Sequence, residues 1–434
     1  MSEQTIVAIV GCIAVLVLML IRVPIAVSLG AVAVAGFAYL VGPEPALGIL
    51  IDSPIRTVTN FNFSVVPMFI LMGALVSASG MSRELFRAAN ARVGHLPGGM
   101  AMATIFACGG FAAINGSSVA SAATMTQVAL PEMRRAGYDA GLSAGVIAAG
   151  GTLGIMIPPS VMFILYAILT DTDVASLFIA GILPGLIAIV FYCVTIQVVY
   201  RAKPEWLPRG ERADRKERLE SLRDVWATLV LFGLVMGGIY GGFVTITEAA
   251  GLGVFGAFVI GVVRGRLSWS AVEGSLVEAL RTSAAIFFIL IAAFLFQFFL
   301  AVTQMSQLLG DFLTSLPVGP LGVVIAILGF YIIVGMFVDE LAVILLTIPI
   351  VFPIVVDMGF SPIWFGVLVV VTVQIGLIAP PVGIICFIMN NMVPDIGLVN
   401  IYKGAMPFVV ADLFWLALLV AFPSISLFLV GLMN

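Results

Sequence analysis

The chain has 434 residues, 62% of them hydrophobic and 10% charged, with a mean hydropathy of +1.22 and a formal net charge of −4. A soluble fold has no room to bury that much apolar surface, so soluble enzymes and nucleic-acid-binding modules are excluded. Charge-free stretches such as 5–21 and 225–247 are long enough to cross a ~30 Å hydrocarbon core as helices and lack the short alternation of barrel strands, which makes this an all-α polytopic membrane protein.

In chain order, the first half reads as spans 5–21, 24–42 and 61–80 and an amphipathic interfacial helix over 81–95. Two short apolar arms follow, 98–114 and 118–131, around a polar break. Then come a span interrupted by Gly and Pro-Pro, 141–170, and a last span, 177–200. The first span is read as retained, because no basic region precedes it and no small-residue cleavage site follows. Residues 201–223 are the one long charged segment, a cytoplasmic linker. The second half gives spans 225–241 and 244–263. Next is a second amphipathic helix over 268–281, with Trp269, Val272, Leu276 and Leu280 at helical spacing. Span 282–304, arms 319–337 and 341–356, broken span 363–392 and last span 406–430 complete it. Cys12, Cys108, Cys193 and Cys386 are solitary within apolar runs and read as packing residues.

The halves are copies. Pro131, Gly137 and Tyr138 recur 222 positions on as Pro353, Gly359 and Phe360, and Gly154, Pro158 and Pro159 recur at the same shift as Gly376, Pro380 and Pro381. Leu96-Pro97 recurs as Leu316-Pro317, and Gly181 with Pro184 recurs as Gly404 with Pro407. If each pair of arms is a re-entrant hairpin, each half crosses five times, an odd number, and the repeats are inverted. With the N-terminus outside, Arg56 is then the only one of 19 Lys and Arg left outside, as the positive-inside rule asks. The predicted fold has two inverted-topology repeats, about ten crossing helices, two re-entrant hairpins and two broken helices.

Irregular backbone at membrane depth survives where it is buried in protein or lines a wet cavity, and paired broken helices from inverted halves mark a midplane transport site. A proline removes a backbone donor and crowds the carbonyl four residues before it. Pro158 and Pro159 are therefore expected to free the carbonyls of Gly154 and Ile155, and Pro380 and Pro381 those of Gly376 and Leu377; such carbonyls suit Na+. Asn115-Gly116-Ser117-Ser118 is the first hairpin tip, with hydroxyl, amide and backbone groups able to replace water around Na+ or a carboxylate. Ser121 and Thr124 on the returning arm serve packing or binding equally well. Asp339 and Glu340 fall at the second tip, Asp339 being the candidate ion ligand. Glu248 reads as a structural acid and His95 as an exposed interfacial residue. No Lys or Arg falls in a tip or a break, so an anionic substrate has to meet helix ends, hydroxyls and co-bound cations.

The run from "AAINGSSVASAATM" through "GTLGIMIPPS" to "LFIAGILPGLI", with "GMFVDELAVILLTIPIVFPI" and "QIGLIAPPVGIICF", closely resembles the DctM-type large membrane subunit of tripartite ATP-independent periplasmic (TRAP) transporters, over nearly the whole chain. Two departures stand out: Asn115 where the family often has Ser, and Ala379 where it often has Thr. The resemblance implies a permease, not an enzyme: a Na+-driven importer of an organic acid with an elevator mechanism. It would lie in a bacterial or archaeal cytoplasmic membrane, with both termini periplasmic. It implies a small four-helix DctQ-type membrane subunit and a DctP-type periplasmic binding protein as partners. It also implies at least two Na+ ions, one near each tip and its adjacent break, assigned to Asn115, Gly116, Ser117, Ser118, Thr152 and Gly154 and to Asp339, Gln374 and Gly376. Substrate is assigned to Ser118, Ser121, Pro158, Ser160, Pro380 and Val382. The implied division is scaffold 1–96, transport domain 97–200 (hairpin 97–131), linker 201–223, scaffold 224–316 and transport domain 317–434 (hairpin 317–356). The competing readings are a stand-alone Na+/dicarboxylate symporter of the same architecture, an ion channel, and an intramembrane hydrolase, for which no nucleophile–base pair is apparent.

Overall fold

The computed structural model describes Glu3–Ser315 and Pro317–Met433; Leu316, one member of the Leu-Pro repeat, lies outside the described residues. Among them there are α-helices and short 3-10 turns and no strand. The first half comprises α1 (Glu3–Leu20), α2 (Ile25–Val41), α3 (Pro43–Thr59), α4 (Val65–Ala78), α5 (Met81–Val93), α6 (Gly99–Asn115), α7 (Ser118–Arg135), α8 (Ala140–Met156), α9 (Val161–Thr170) and α10 (Val174–Ala202). The linker folds into α11 (Arg215–Asp224), which leads at once into α12 (Trp226–Tyr240). There follow α13 (Ile246–Val263), α14 (Trp269–Thr303), α15 (Met305–Ser315), α16 (Gly319–Gly335), α17 (Glu340–Asp357), α18 (Pro362–Ile378), α19 (Ile384–Met392), α20 (Leu398–Ala421) and α21 (Ser424–Met433).

Seven helical stretches among the described residues are long and apolar enough to cross a membrane: Phe61–Ala78, α10, the joined α11–α12, α13, α14, α17 and α20. The bent pair α8 and α9, 40° apart, makes an eighth when taken as one span. Three boundaries differ from the sequence reading. The second amphipathic segment is no separate element, because nothing between Trp269 and Thr303 breaks a helix and α14 runs unbroken for 35 residues. The stretch between the second and third spans is itself a helix, α3, started by Pro43. The last span ends at Ala421, since Pro423 lets the chain turn before α21.

The elements flanking each Pro-Pro pair form the centre of the molecule. Every residue from Gly141 to Met156 on α8 is buried, as is every residue from Trp364 to Ile378 on α18. Small residues make this possible. A Cβ on Gly145 would lie 2.1 Å from the backbone of Gly404, so α8 and α20 touch main chain to main chain. A second, smaller core lies apart: Val15 of α1, Leu29 of α2 and Phe296, Phe299 and Leu300 of α14. On the linker side, buried Glu84 of α5 receives both guanidinium nitrogens of Arg264, Nη2 at 2.7 Å and Nη1 at 2.9 Å, tying α5 to the end of α13.

Candidate functional site

The first tip uses all of its polar side chains. Gly116 ends α6 in the left-handed region (φ +65°), which favours glycine. A Cβ there would also lie 2.7 Å from the Pro159 carbonyl oxygen. Ser117 is extended and caps α7, its Oγ accepting from the Ala120 N–H at 3.4 Å. Asn115 Nδ2 donates to Ser121 Oγ at 3.2 Å and to the Ser117 carbonyl at 3.4 Å, bracing the turn. Thr124 Oγ1 and Ser77 Oγ of α4 lie 3.3 Å apart. Ser118, wholly buried, donates to Glu340 Oε2 at 2.6 Å. This last bond joins the two tips, between residues 222 positions apart.

At the second tip the neighbouring acids diverge. Asp339 caps α17, its Oδ1 accepting from the Leu341 N–H at 3.0 Å, while Glu340 is buried against Ser118. Sequence reasoning favoured Asp339 because acids near a tip are hard to rank by position alone. The contact to Ser118 singles out Glu340.

Both breaks hold a cis Pro-Pro bond, and each is stitched to its own tip by the second residue past its prolines. Val161 N donates to the Gly116 carbonyl at 3.4 Å, and Gly383 N to the Met336 carbonyl at 3.2 Å. A Cβ on Gly154 would meet Ser117 O at 2.5 Å, and one on Gly376 would meet Gly335 C at 2.5 Å, so each hairpin leans on the helix ahead of its break. The surroundings of the breaks differ. Ser160 is buried and donates to the Ile155 carbonyl at 2.5 Å while capping α9. The expectation of a free Ile155 carbonyl is thereby corrected: the hydroxyl of the residue directly after the prolines takes it. Pro158 is buried, whereas Pro380 is exposed and Val382 half-buried, its carbonyl held with that of Pro381 by the Tyr402 hydroxyl.

A cavity of about 190 Å³ opens beside the tips. One wall is Asn115, Gly116, Ser117 and Thr124 of the first hairpin with Val161, Met162 and Glu340; the other is Gly73 and Ser77 of α4 and Glu278 and Thr282 of α14. Ser118 and Ser121 lie just behind this surface, wholly buried. Pro158, Ser160, Pro380 and Val382 do not line it. A larger apolar groove of about 430 Å³ between α3 and α14 holds none of the predicted site residues.

Thr152 and Gln374 converge elsewhere. Gln374 Nε2 donates to the Tyr192 hydroxyl at 2.9 Å, and Thr152 Oγ1 lies 3.3 Å from the same oxygen while donating to the Ala149 carbonyl at 2.6 Å. Asp412 of α20 is buried against the Tyr192 hydroxyl, and Gln374 Oε1 lacks a hydrogen-bond partner. Sequence reasoning missed Tyr192 and Asp412; the available signal was a lone acid inside the last apolar span. Glu248 forms a capping box with Thr245 at the start of α13, the structural role expected of it. His95 is half-buried with Nδ1 withdrawn from solvent, a correction to its expected exposure, because α5 and the chain after it pack against the hairpin.

Residues 12–425 match the family model described as tripartite ATP-independent periplasmic transporter, DctM component. The chain is 36% identical over 397 residues to the C4-dicarboxylate TRAP transporter large permease protein DctM of Pseudomonas aeruginosa, covering 89% of this chain and 92% of that one. It is 32% identical to the DctM protein of Rhodobacter capsulatus (96% and 97% covered) and 30% identical to the sialic acid TRAP transporter large permease protein SiaM of Vibrio cholerae (86% and 87%). Among solved structures, the Alcanivorax borkumensis YdaH transporter has the same fold at a TM-score of 0.66 and 15% identity, over 88% of this chain and 89% of that one. The chain belongs to the DctM family, the large permease components of TRAP transporters.

Proposed function

We propose that this subunit imports an organic acid across a cytoplasmic membrane, driven by Na+, with α6–α10 and α16–α20 moving as a transport body against a scaffold that includes α1–α4 and α12–α14. In this reading the two halves are inverted repeats, the hairpins enter from opposite sides, and both termini are periplasmic. A small DctQ-type membrane subunit completes the scaffold, and a DctP-type periplasmic protein delivers the substrate. The observation that carries the reading is the meeting of the tips at Ser118 and Glu340, each tip hydrogen-bonded to the second residue behind its own Pro-Pro pair, beside a cavity whose far wall is α4 and α14. The separate core of α1, α2 and α14 supports a distinct scaffold.

Two or more Na+ ions are assigned to the tips. The groups on offer are hydroxyl, amide and main-chain oxygens with the carboxylate of Asp339, Glu340 being taken up by Ser118, a hard-donor set that fits a small cation. Ser117, Ser118, Asn115 and the turn carbonyls serve the first ion; Asp339 and the backbone around Gly376 serve the second. Thr152 and Gln374 act through Tyr192, keeping α8 and α18 in register beneath both tips. Substrate occupies the cavity, with its carboxylate toward the hydroxyls of the first tip. Na+ and substrate each raise the other's affinity, since each supplies charge the other lacks.

Proteoliposomes holding both membrane subunits, supplied with the binding protein, test this by uptake of carboxylic acids with and without an inward Na+ gradient. Uptake that needs both Na+ and the binding protein is the expected result. Uptake indifferent to Na+ rejects the coupling, and uptake without the binding protein favours the stand-alone symporter.

A further inference from the structure

The charged side chains lining the cavity are Glu278 and Glu340; no Lys, Arg or His lines it among the described residues. The adjacent acids of the second tip have separate tasks. Asp339 turns back onto α17 and is absent from the lining, whereas Glu340, 6% exposed, contributes to it while taking the Ser118 hydroxyl. A buried carboxyl that receives one hydroxyl and faces a cavity without a base is paired, when ionised, by a positive group that the occupant brings. Glu278, exposed on the scaffold wall, adds field of the same sign and draws cations toward the cavity. A dianion would set its second carboxylate against Glu340.

We propose that the substrate is a small zwitterion, one carboxylate and one cationic nitrogen, with the nitrogen on Glu340 and the carboxylate at the hydroxyls of the first tip and the start of α9. This names the substrate class of the site proposed above and rests on reading the cavity as that site. Glu340 is then the specificity-determining residue and Ser118 the positioning residue that holds its carboxylate. A cavity of about 190 Å³ has room for about six waters at ~30 Å³ each, which suits a compact molecule.

Equilibrium binding of radiolabelled β-alanine and succinate to the full-length chain in detergent, at fixed NaCl, provides the test. The two probes share a carboxylate on the same two-carbon spacer and differ in the other end group. Wild type is expected to bind β-alanine about 10-fold or more tighter than succinate. Glu340→Gln should lose about 10–100-fold for β-alanine, the loss expected for a hydrogen bond to a charged group, and leave succinate unchanged or improved. Glu340→Asp, which keeps the charge, should keep the preference for β-alanine, so that a folding defect in Glu340→Gln cannot be mistaken for lost recognition. Preference of wild type for succinate, binding of neither probe, or an unaltered ratio in Glu340→Gln overturns the proposal. Loss of the Na+-induced thermal shift in Glu340→Gln also overturns it, because the carboxylate then serves the ion. Ala123 of α7 also lines the cavity, and Ala123→Trp, which fills it, separates the two levels. Where wild type prefers succinate, blockage of that binding by Ala123→Trp keeps the site and rejects the zwitterion; binding of either probe indifferent to Ala123→Trp rejects the site itself.

Discussion

The two Pro-Pro breaks carry one motif in two settings. At the first, Pro158 and Ser160 are sealed inside the protein, and the Ile155 carbonyl is satisfied from the break's own residues. At the second, Pro380 and Pro381 are exposed, and the Pro381 and Val382 carbonyls rely on Tyr402, a side chain from another helix. The repeat therefore dictates the backbone path and the stitch to the tip, and leaves the satisfaction of polar groups to whatever each half packs against. An enclosed break satisfied by its own hydroxyl is suited to rigid support. An exposed one held by a distant phenol is suited to rearrangement.

The comparison breaks most severely at the glycines where hairpin and helix touch. Gly154→Val sets a branched side chain where even a Cβ would lie 2.5 Å from the Ser117 carbonyl oxygen. Backbone cannot yield as a side-chain end can, so uptake in proteoliposomes should fall at least ~100-fold, with ~3 kcal/mol or more lost from stability. Near-normal uptake would remove the claim that the tip rests on α8. Next in size, Ser117→Ala and Asp339→Ala should each weaken the Na+ dependence of uptake about 10-fold, as loss of an ion ligand worth about 1.4 kcal/mol requires. Unaltered Na+ titrations in both would refute the assignment of the tips to Na+. Ser160→Ala removes both a cap and the donor to Ile155 inside the sealed break, and should cost about 1–2 kcal/mol in a denaturation assay. Tyr402→Phe should cost less, about 0.5–1 kcal/mol, because water reaches the exposed break in its place. If Tyr402→Phe proves the more damaging of the two, the contrast between sealed and open breaks is wrong.

Much of this was legible in the sequence because it rests on local rules. Glycine and proline positions placed both tips and both breaks to within a few residues, and the bounds of α8–α9 and α18–α19 follow the predicted 141–170 and 363–392 closely. Cross-chain choices were not legible. Nothing in "VDELA" says that Asp339 turns inward to its helix while Glu340 reaches Ser118, since both rotamers suit a helix start. Thr152 and Gln374 could be seen as polar residues before each break, but not that both would meet Tyr192, which lies on α10 beyond the repeated Gly181–Pro184 stretch. The continuity of α14 was missed for a different reason: amphipathic and apolar stretches look like two elements when no breaker marks where one would end.

The grip of Arg264 on Glu84 has a mechanical corollary. It rivets the lead-in to the first hairpin onto α13, which under the proposed division of the chain puts α5 with the scaffold. Any displacement of α6 and α7 relative to α5 must be taken up in the five residues from Gly94 to Gly98, where Gly98 already adopts a left-handed backbone. Under the proposed mechanism that stretch is the flexure, and its stiffness sets how far the hairpin swings.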